Sequence, residues 1–187
     1  MKYPPRYKSL KVNELNNGVF SIKPIRYSDK ESIRKWRNAQ INVLRQEQKL
    51  TKEKQKDYFN NVISKLFAQI KPNQLLFSYF KNDILVGYGG LVHIDYLNFN
   101  AEVSFLLDTD FIGEETYTEF FTPFLQLIIQ IAEQLKLAKI YTYGYNIYPY
   151  RFKALIETKF ELEAELKNQK EIQGELYDVK IYSFFLI

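Results

Sequence analysis

The sequence predicts an α/β chain of the α+β kind, with a mixed central sheet of about seven strands carrying helices on both faces. Three observations predict it. Hydrophobic patterning switches between period two and period 3.6 in the order β-α-α-β-β-β-α-β-α-β-β. A long apolar helix pattern separates the strand patterns at Ala101–Leu107 and Lys139–Tyr145, so those two strands run parallel, while short turns make their neighbours antiparallel. The chain has 187 residues, 46% of them hydrophobic and 17% aromatic, enough for one buried core without staples.

The elements follow in order. Met1–Asn17 reads as a leader, with Pro4-Pro5 and Asn16-Asn17-Gly18, and the single folded domain as residues 18–187. Val19–Tyr27 alternates as a half-buried strand, and Ser28 with Glu31 has capping-box spacing for a helix through Ile33 and Trp36 to Asn38. Thr51 is the N-cap of a second helix carrying Phe59, Val62, Ile63, Leu66 and Phe67, stopped by Lys71-Pro72-Asn73. Leu75–Phe80, Ile84–Asp95 and Ala101–Leu107 form a meander. Next come the long helix with Phe121, Phe124, Leu125, Ile128, Ala132 and Leu135 on one face, the strand Lys139–Tyr145, and a short helix over Tyr150–Thr158. Two closing strands, Phe160–Leu166 and Leu176–Phe185, flank a turn at Gly174.

Composition excludes several chemistries. With no Cys and one His, thiol catalysis, disulfide scaffolds and His- or Cys-ligated metal sites are ruled out, and no metal is expected. Phe120–Ala132 is the longest apolar tract and is too short for a spanning helix, so no membrane association is expected. Lys2, Arg6, Lys8, Lys11 and Glu14 interrupt the beginning of the chain, which reads as cytoplasmic and not secreted. A net charge of +4 favours anionic ligands without implying nucleic acid, and the Lys-rich run Arg45–Lys56 reads as a solvated loop and helix start.

Three blocks carry a family resemblance: IKPIRYSDKESIRKWRN (Ile22–Asn38), ILVGYGGLVHIDYLNFNAEVSFLL (Ile84–Leu107) and ALIETKFELEAELKNQKEIQGELYDVKIYSFF (Ala154–Phe185). With the element order, they resemble the GCN5-related N-acetyltransferase (GNAT) superfamily over Val19–Phe185. They are most similar to its subgroup acting on ribosomal-protein N-termini and nucleotide-linked amino sugars. The resemblance implies a sheet splayed in its middle, and acetyl-coenzyme A as co-substrate in the cleft between Ala101–Leu107 and Lys139–Tyr145. It implies pairing of the cofactor with backbone near Phe105, Leu106 and Leu107, and direct attack by the amine. The Trp36-Arg37-Asn38 ending implies a substrate-binding block and favours an amino-sugar nucleotide.

The chain departs from the family pattern in the phosphate loop. Laid without gaps, the Arg/Gln-x-x-Gly-x-Gly/Ala loop places Ile112, Glu115 and Tyr117 at its signature positions, so the cofactor segment Ile112, Gly113, Glu114, Glu115 and Thr116 lacks the signature and is acidic. Pro123 suggests that the following helix starts late, near Thr122, or kinks. Ile156 stands where the family often has an acid Tyr, and Asn146 lies two residues upstream of the expected Asn.

Glu102 is the candidate base, with an ion pair or a solvent-facing position as the alternative. His93, the one side chain with an unperturbed pKa near neutrality, is a second candidate, and a structural role competes. Tyr143 is the candidate acid among the tyrosines of its strand, which also suit packing. Arg151 and Lys153 can reach a phosphate from another side, or be surface charges. The residues thus support an acetyltransferase for a small primary amine, as a monomer or homodimer. An inactive GNAT-fold module that binds a ligand or docks a partner remains the alternative.

Overall fold

We describe a computed structural model of the protein, covering residues 2–186. Met1 and Ile187, the outermost residues of the expected leader and domain, lie outside the described residues. The strands are β1 (Leu15–Asn17), β2 (Phe20–Pro24), β3 (Leu75–Lys81), β4 (Ile84–Asp95), β5 (Asn100–Leu107), β6 (Lys139–Tyr145), β7 (Glu161–Ile172) and β8 (Glu175–Phe185). They form one sheet in the order β1-β2-β3-β4-β5-β6-β8-β7. The helices are α1 (Lys30–Ala39), α2 (Lys52–Tyr58), α3 (Ser64–Leu66), α4 (Glu114–Gln134) and α5 (Lys153–Glu157).

Local chemistry explains the joints. Asn82 and Asp83 both have positive φ (48° and 61°), as a two-residue hairpin turn between β3 and β4 requires, and Gln173-Gly174 (55° and 87°) does the same between β7 and β8. The Asp95 carboxylate accepts from the backbone N–H groups of Leu97 and Asn98 and shapes the β4–β5 turn. The Thr51 hydroxyl accepts from Lys54 N–H as the N-cap of α2. Phe59–Ile63 is a π-helical stretch joining α2 to α3, so the single expected helix is interrupted.

The two faces are distinguished by side-chain alternation. Phe105 stacks on Phe121 of α4 with ring centroids 4.6 Å apart. Leu106, one residue on, pairs with Tyr88 of β4, whose hydroxyl accepts from Arg37 of α1. Alternate residues of β5 therefore face α4 and α1. Gly89 and Gly90 are sterically required: a Cβ would lie 2.2 Å from the Ser104 carbonyl oxygen at Gly89 and 1.9 Å from that of Leu75 at Gly90, whose φ is +152°.

Two expectations are corrected. The leader is packed into the body: Tyr7 is 1% exposed, its hydroxyl donates to the Leu76 carbonyl at 2.7 Å, and Tyr3 and Leu10 join the same core. The low apolar density of 1–17 concealed this, because three well-spaced side chains anchor the segment. Its end supplies β1, which raises the strand total to eight. Finally, α4 does not start late: it begins at Glu114 and runs through Pro123, while Tyr79 donates to the nearby Phe120 carbonyl at 2.8 Å. Burial of nine α4 side chains outweighs the hydrogen bond that proline removes. No helix among the described residues is long and apolar enough to cross a membrane.

Candidate active site

The site is a fork in the sheet. Strands β5 and β6 pair in parallel at only three positions, Asn100 with Lys139, Ala101 with Ile140, and Glu102 with Tyr141. Beyond Glu102 each strand follows its other neighbour, β5 with β4 as far as Leu107 and β6 with β8 as far as Tyr145. A bulge in β4 between Val92 and Asp95, with His93 at φ 51°, sits beside the last paired residue and adds local twist. The cleft between the parted strands is walled by Val103–Leu107 and Thr142–Tyr145, with Tyr117 and Arg151 farther along. The backbone edge of β5 from Val103 to Leu106 faces it without a strand partner, and the Gln40 amide donates to the Leu107 carbonyl at 2.8 Å.

At the vertex Glu102 is buried, with 7% of its side chain exposed, and is ion-paired with Arg45. The Arg45 guanidinium also lies 5.1 Å over the Tyr143 ring, and its hydrogen bond to Glu102 raises its pKa further. His93 Nε2 is 4.0 Å from the other Glu102 oxygen, but its side chain is 67% exposed. The structure thus brings Glu102, His93 and Tyr143 together. It adds Arg45, which belongs to the cleft and not to a solvated run. Burial raises the pKa of Tyr141 and Tyr145, so these phenols hold their protons through the neutral range.

The proposed cofactor loop is less prepared. Gly113 is the N-cap of α4 and gives no side-chain cap, and Glu114 and Glu115 stand exposed in its first turn, where their own charges complement the helix dipole. Ile112 packs partly into the core, while the Thr116 hydroxyl turns back to the Phe111 carbonyl at 2.9 Å. Asn146 donates its backbone N–H to the Asp178 carbonyl and leaves its side-chain Oδ1 buried without a partner.

A second cavity of about 320 Å³ lies on the α1 face and shares Ser104 with the cleft. Ile25, Ile33, Leu50 and Phe59 make it largely apolar, and no Asp or Glu is among the described residues that line it. Arg37 points into it. Its Nε donates to Gln46 at 2.9 Å and its Nη1 to the Tyr88 hydroxyl at 2.8 Å, both neutral oxygens. The other two members of the expected substrate block do not line the cavity: Trp36 is 6% exposed in the core, and Asn38 pins the chain at Leu50 through both N–H and C=O. Gln40, Arg45 and Ser104 carried no local sequence signal, because only the fold brings them to the cleft.

Comparison with known proteins agrees with this geometry. The chain superposes on spermidine N-acetyltransferase from Vibrio cholerae, solved with CoA and spermine, with a TM-score of 0.75 at 19% identity, covering 90% of this chain and 96% of that one. It also superposes on RimL, a ribosomal L7/L12 alpha-N-protein acetyltransferase solved with coenzyme A, with a TM-score of 0.73 at 13% identity, covering 92% and 98%. At such identities the likeness concerns the fold. No match was found among curated proteins. The family model described as the acetyltransferase (GNAT) domain matches residues 22–181, which spans the fork, both cavities and all the helices, and the chain belongs to that family.

Proposed function

We propose that the protein transfers an acetyl group from acetyl-coenzyme A to a small primary amine. The observation that carries this reading is the fork: an unpaired strand edge, Val103–Leu106, running out from a buried carboxylate. Such an edge accepts an extended amide-bearing chain as a further strand. The residues fit the group in a second respect, since Thr142 and Arg151, both lining the same cleft, carry buried polar atoms without partners, Oγ1 and Nε. When bound, the coenzyme supplies the thioester-activated acetyl group.

The chain's own residues then have definable tasks. Glu102 accepts a proton from the substrate ammonium, directly or through water, once Arg45 is displaced or shares the carboxylate. Tyr143 or Tyr145, both lining the cleft, supplies a proton to the leaving group. The cavity on the α1 face holds the acceptor beside Ser104, and its volume suits a small molecule. Arg37, with no carboxylate among the described residues that line the cavity, favours an acceptor that carries an anionic group, and a nucleotide-linked amino sugar meets that requirement. We read the chain as acting in the cytoplasm, as a monomer or homodimer, without nucleic acid.

A second reading has specific support. Glu114 and Glu115 oppose a diphosphate at the α4 N-terminus and Arg45 masks Glu102, as a cleft retained for docking alone would allow. Calorimetric titration with acetyl-coenzyme A separates the two. Binding in the micromolar range is expected, and no heat at high micromolar ligand would sink the enzyme reading. Given binding, Glu102→Gln is expected to lower turnover on amino-sugar nucleotides by about 100-fold or more at unchanged KM. Unchanged turnover would remove Glu102 as the base.

A further inference from the structure

We propose that the diphosphate of the coenzyme is held by Arg151, relocated from the loop before α4 to the segment after β6; this rests on the acetyl-coenzyme A reading. The site is built from both sides of the cleft. Tyr117, which occupies the last signature position of the phosphate loop, is buried one turn into α4. The Arg151 guanidinium lies 5.1 Å over its ring and 4.8 Å over the ring of Tyr148. Two aromatic faces fix the plane of the guanidinium, which is the arrangement that presents a fork of N–H donors to an oxyanion. Its Nε is buried without a hydrogen-bond partner, and so is Oδ1 of Asn146 nearby in sequence.

The charge pattern favours the same place. Glu114 and Glu115 occupy the first turn of α4, so that turn has lost its usual attraction for an anion. Arg151 restores positive charge against the same helix, and among the described residues no carboxylate forms an ion pair with it. The neighbouring cation, Lys153, differs: its side chain is 68% exposed, stays outside the cleft and lies 4.0 Å from Glu157. Arg151 lines the cleft, so N–H donors of its guanidinium other than the buried Nε can meet an oxyanion there. The bulky Tyr117 at a position that normally admits only a small residue is then part of the site, because it is the platform on which Arg151 lies.

The test is calorimetry of the wild type, Arg151→Gln, Arg151→Lys and Lys153→Gln with three ligands: coenzyme A, dephospho-coenzyme A, which keeps the diphosphate, and acetyl-pantetheine, which lacks it. Arg151→Gln is expected to weaken both coenzymes by about 10- to 100-fold and leave acetyl-pantetheine unchanged, while Lys153→Gln changes none. Equal coenzyme affinity in the wild type and Arg151→Gln overturns the proposal. So does equal weakening of all three ligands, which would make Arg151 only a support of the cleft wall. Loss confined to coenzyme A would assign Arg151 to the 3′-phosphate and also overturn it. Should Arg151→Gln not fold, Arg151→Lys keeps the charge without the planar stack. It is then expected to weaken the two coenzymes selectively, and equal affinity overturns the proposal. A wild type that binds neither coenzyme A nor acetyl-pantetheine defeats the acetyltransferase reading itself, whereas a wild type that binds both with an indifferent Arg151 defeats this proposal alone.

Discussion

Glu102 is nearly enclosed while its partner Arg45 is about half exposed, so removing the guanidinium leaves a buried charge behind. Arg45→Gln is expected to destabilise the fold by about 1–2 kcal/mol, discounted for the exposure of the arginine. The double variant Arg45→Gln with Glu102→Gln should recover much of that loss, and urea denaturation of the four proteins in a double-mutant cycle measures it. Strict additivity would show that the pair is not coupled. A backbone constraint operates at Gly90, where an added Cβ would meet the Leu75 carbonyl and φ is positive. Gly90→Ala is expected to lose more than about 2 kcal/mol in the same measurement. At this scale the sequence revealed Glu102, His93 and Tyr143 as candidates, since chemistry limits the choice of base and acid. It did not reveal Arg45, because a loop residue's destination is set by the elements it joins.

Helix α4 begins on two acids and passes through a proline, two features that local rules read as a poor anion site and an interrupted helix. The first feature stands in the structure as acidic charge at the helix start, and the second yields to tertiary burial. The acids stabilise the helix by about 0.3–1 kcal/mol each through its dipole, yet repel a diphosphate by about 1 kcal/mol per charge pair in water. Replacing Glu114 and Glu115 by Gln is therefore expected to tighten coenzyme A up to about tenfold while lowering the melting temperature by a few degrees. Calorimetry and a thermal melt check the two signs independently, and unchanged affinity would show that the diphosphate lies away from this turn. Strands β5 and β6 show the complementary case. Their existence and parallel sense were legible from the helix between them, whereas the length of their pairing was not. That length depends on β4 and β8 drawing the strands apart.

Over the whole molecule, aromatic burial dominates, and it extends to the N-terminal segment. Deleting residues 2–14 removes Tyr3, Tyr7 and Leu10 from the core. At about 3–5 kcal/mol for each large aromatic, the loss rivals the whole stability of an ordinary domain. The truncated protein is expected to lack a cooperative thermal transition, and a wild-type-like melt would show the segment to be dispensable. Burial also raises the pKa of Tyr3, Tyr7 and Tyr79, and raises that of Tyr96 to about 12. A folded pKa above the unfolded value of 10.0 means that this stability is fully present below pH 10 and is lost as pH rises towards the folded value. The urea midpoint is expected to fall between pH 10 and 12, coincident with tyrosinate absorbance. A flat midpoint across that range would contradict it.

The sequence by itself determined the fold class, the order of elements, the absence of thiol and His-cluster chemistry, and the acidic character of the start of α4. These follow from hydrophobic period, residue inventory and local charge, all of which are properties of neighbours along the chain. Only the tertiary structure decided that the N-terminal segment is core, that Glu102 stands at the vertex of a fork paired with Arg45, and that Arg37 faces a cavity while Trp36 and Asn38 do not. It alone set Arg151 against the first turn of α4. Each of these depends on contacts between residues far apart in sequence, and such contacts form only when burial of the two sheet faces has fixed which strands lie side by side.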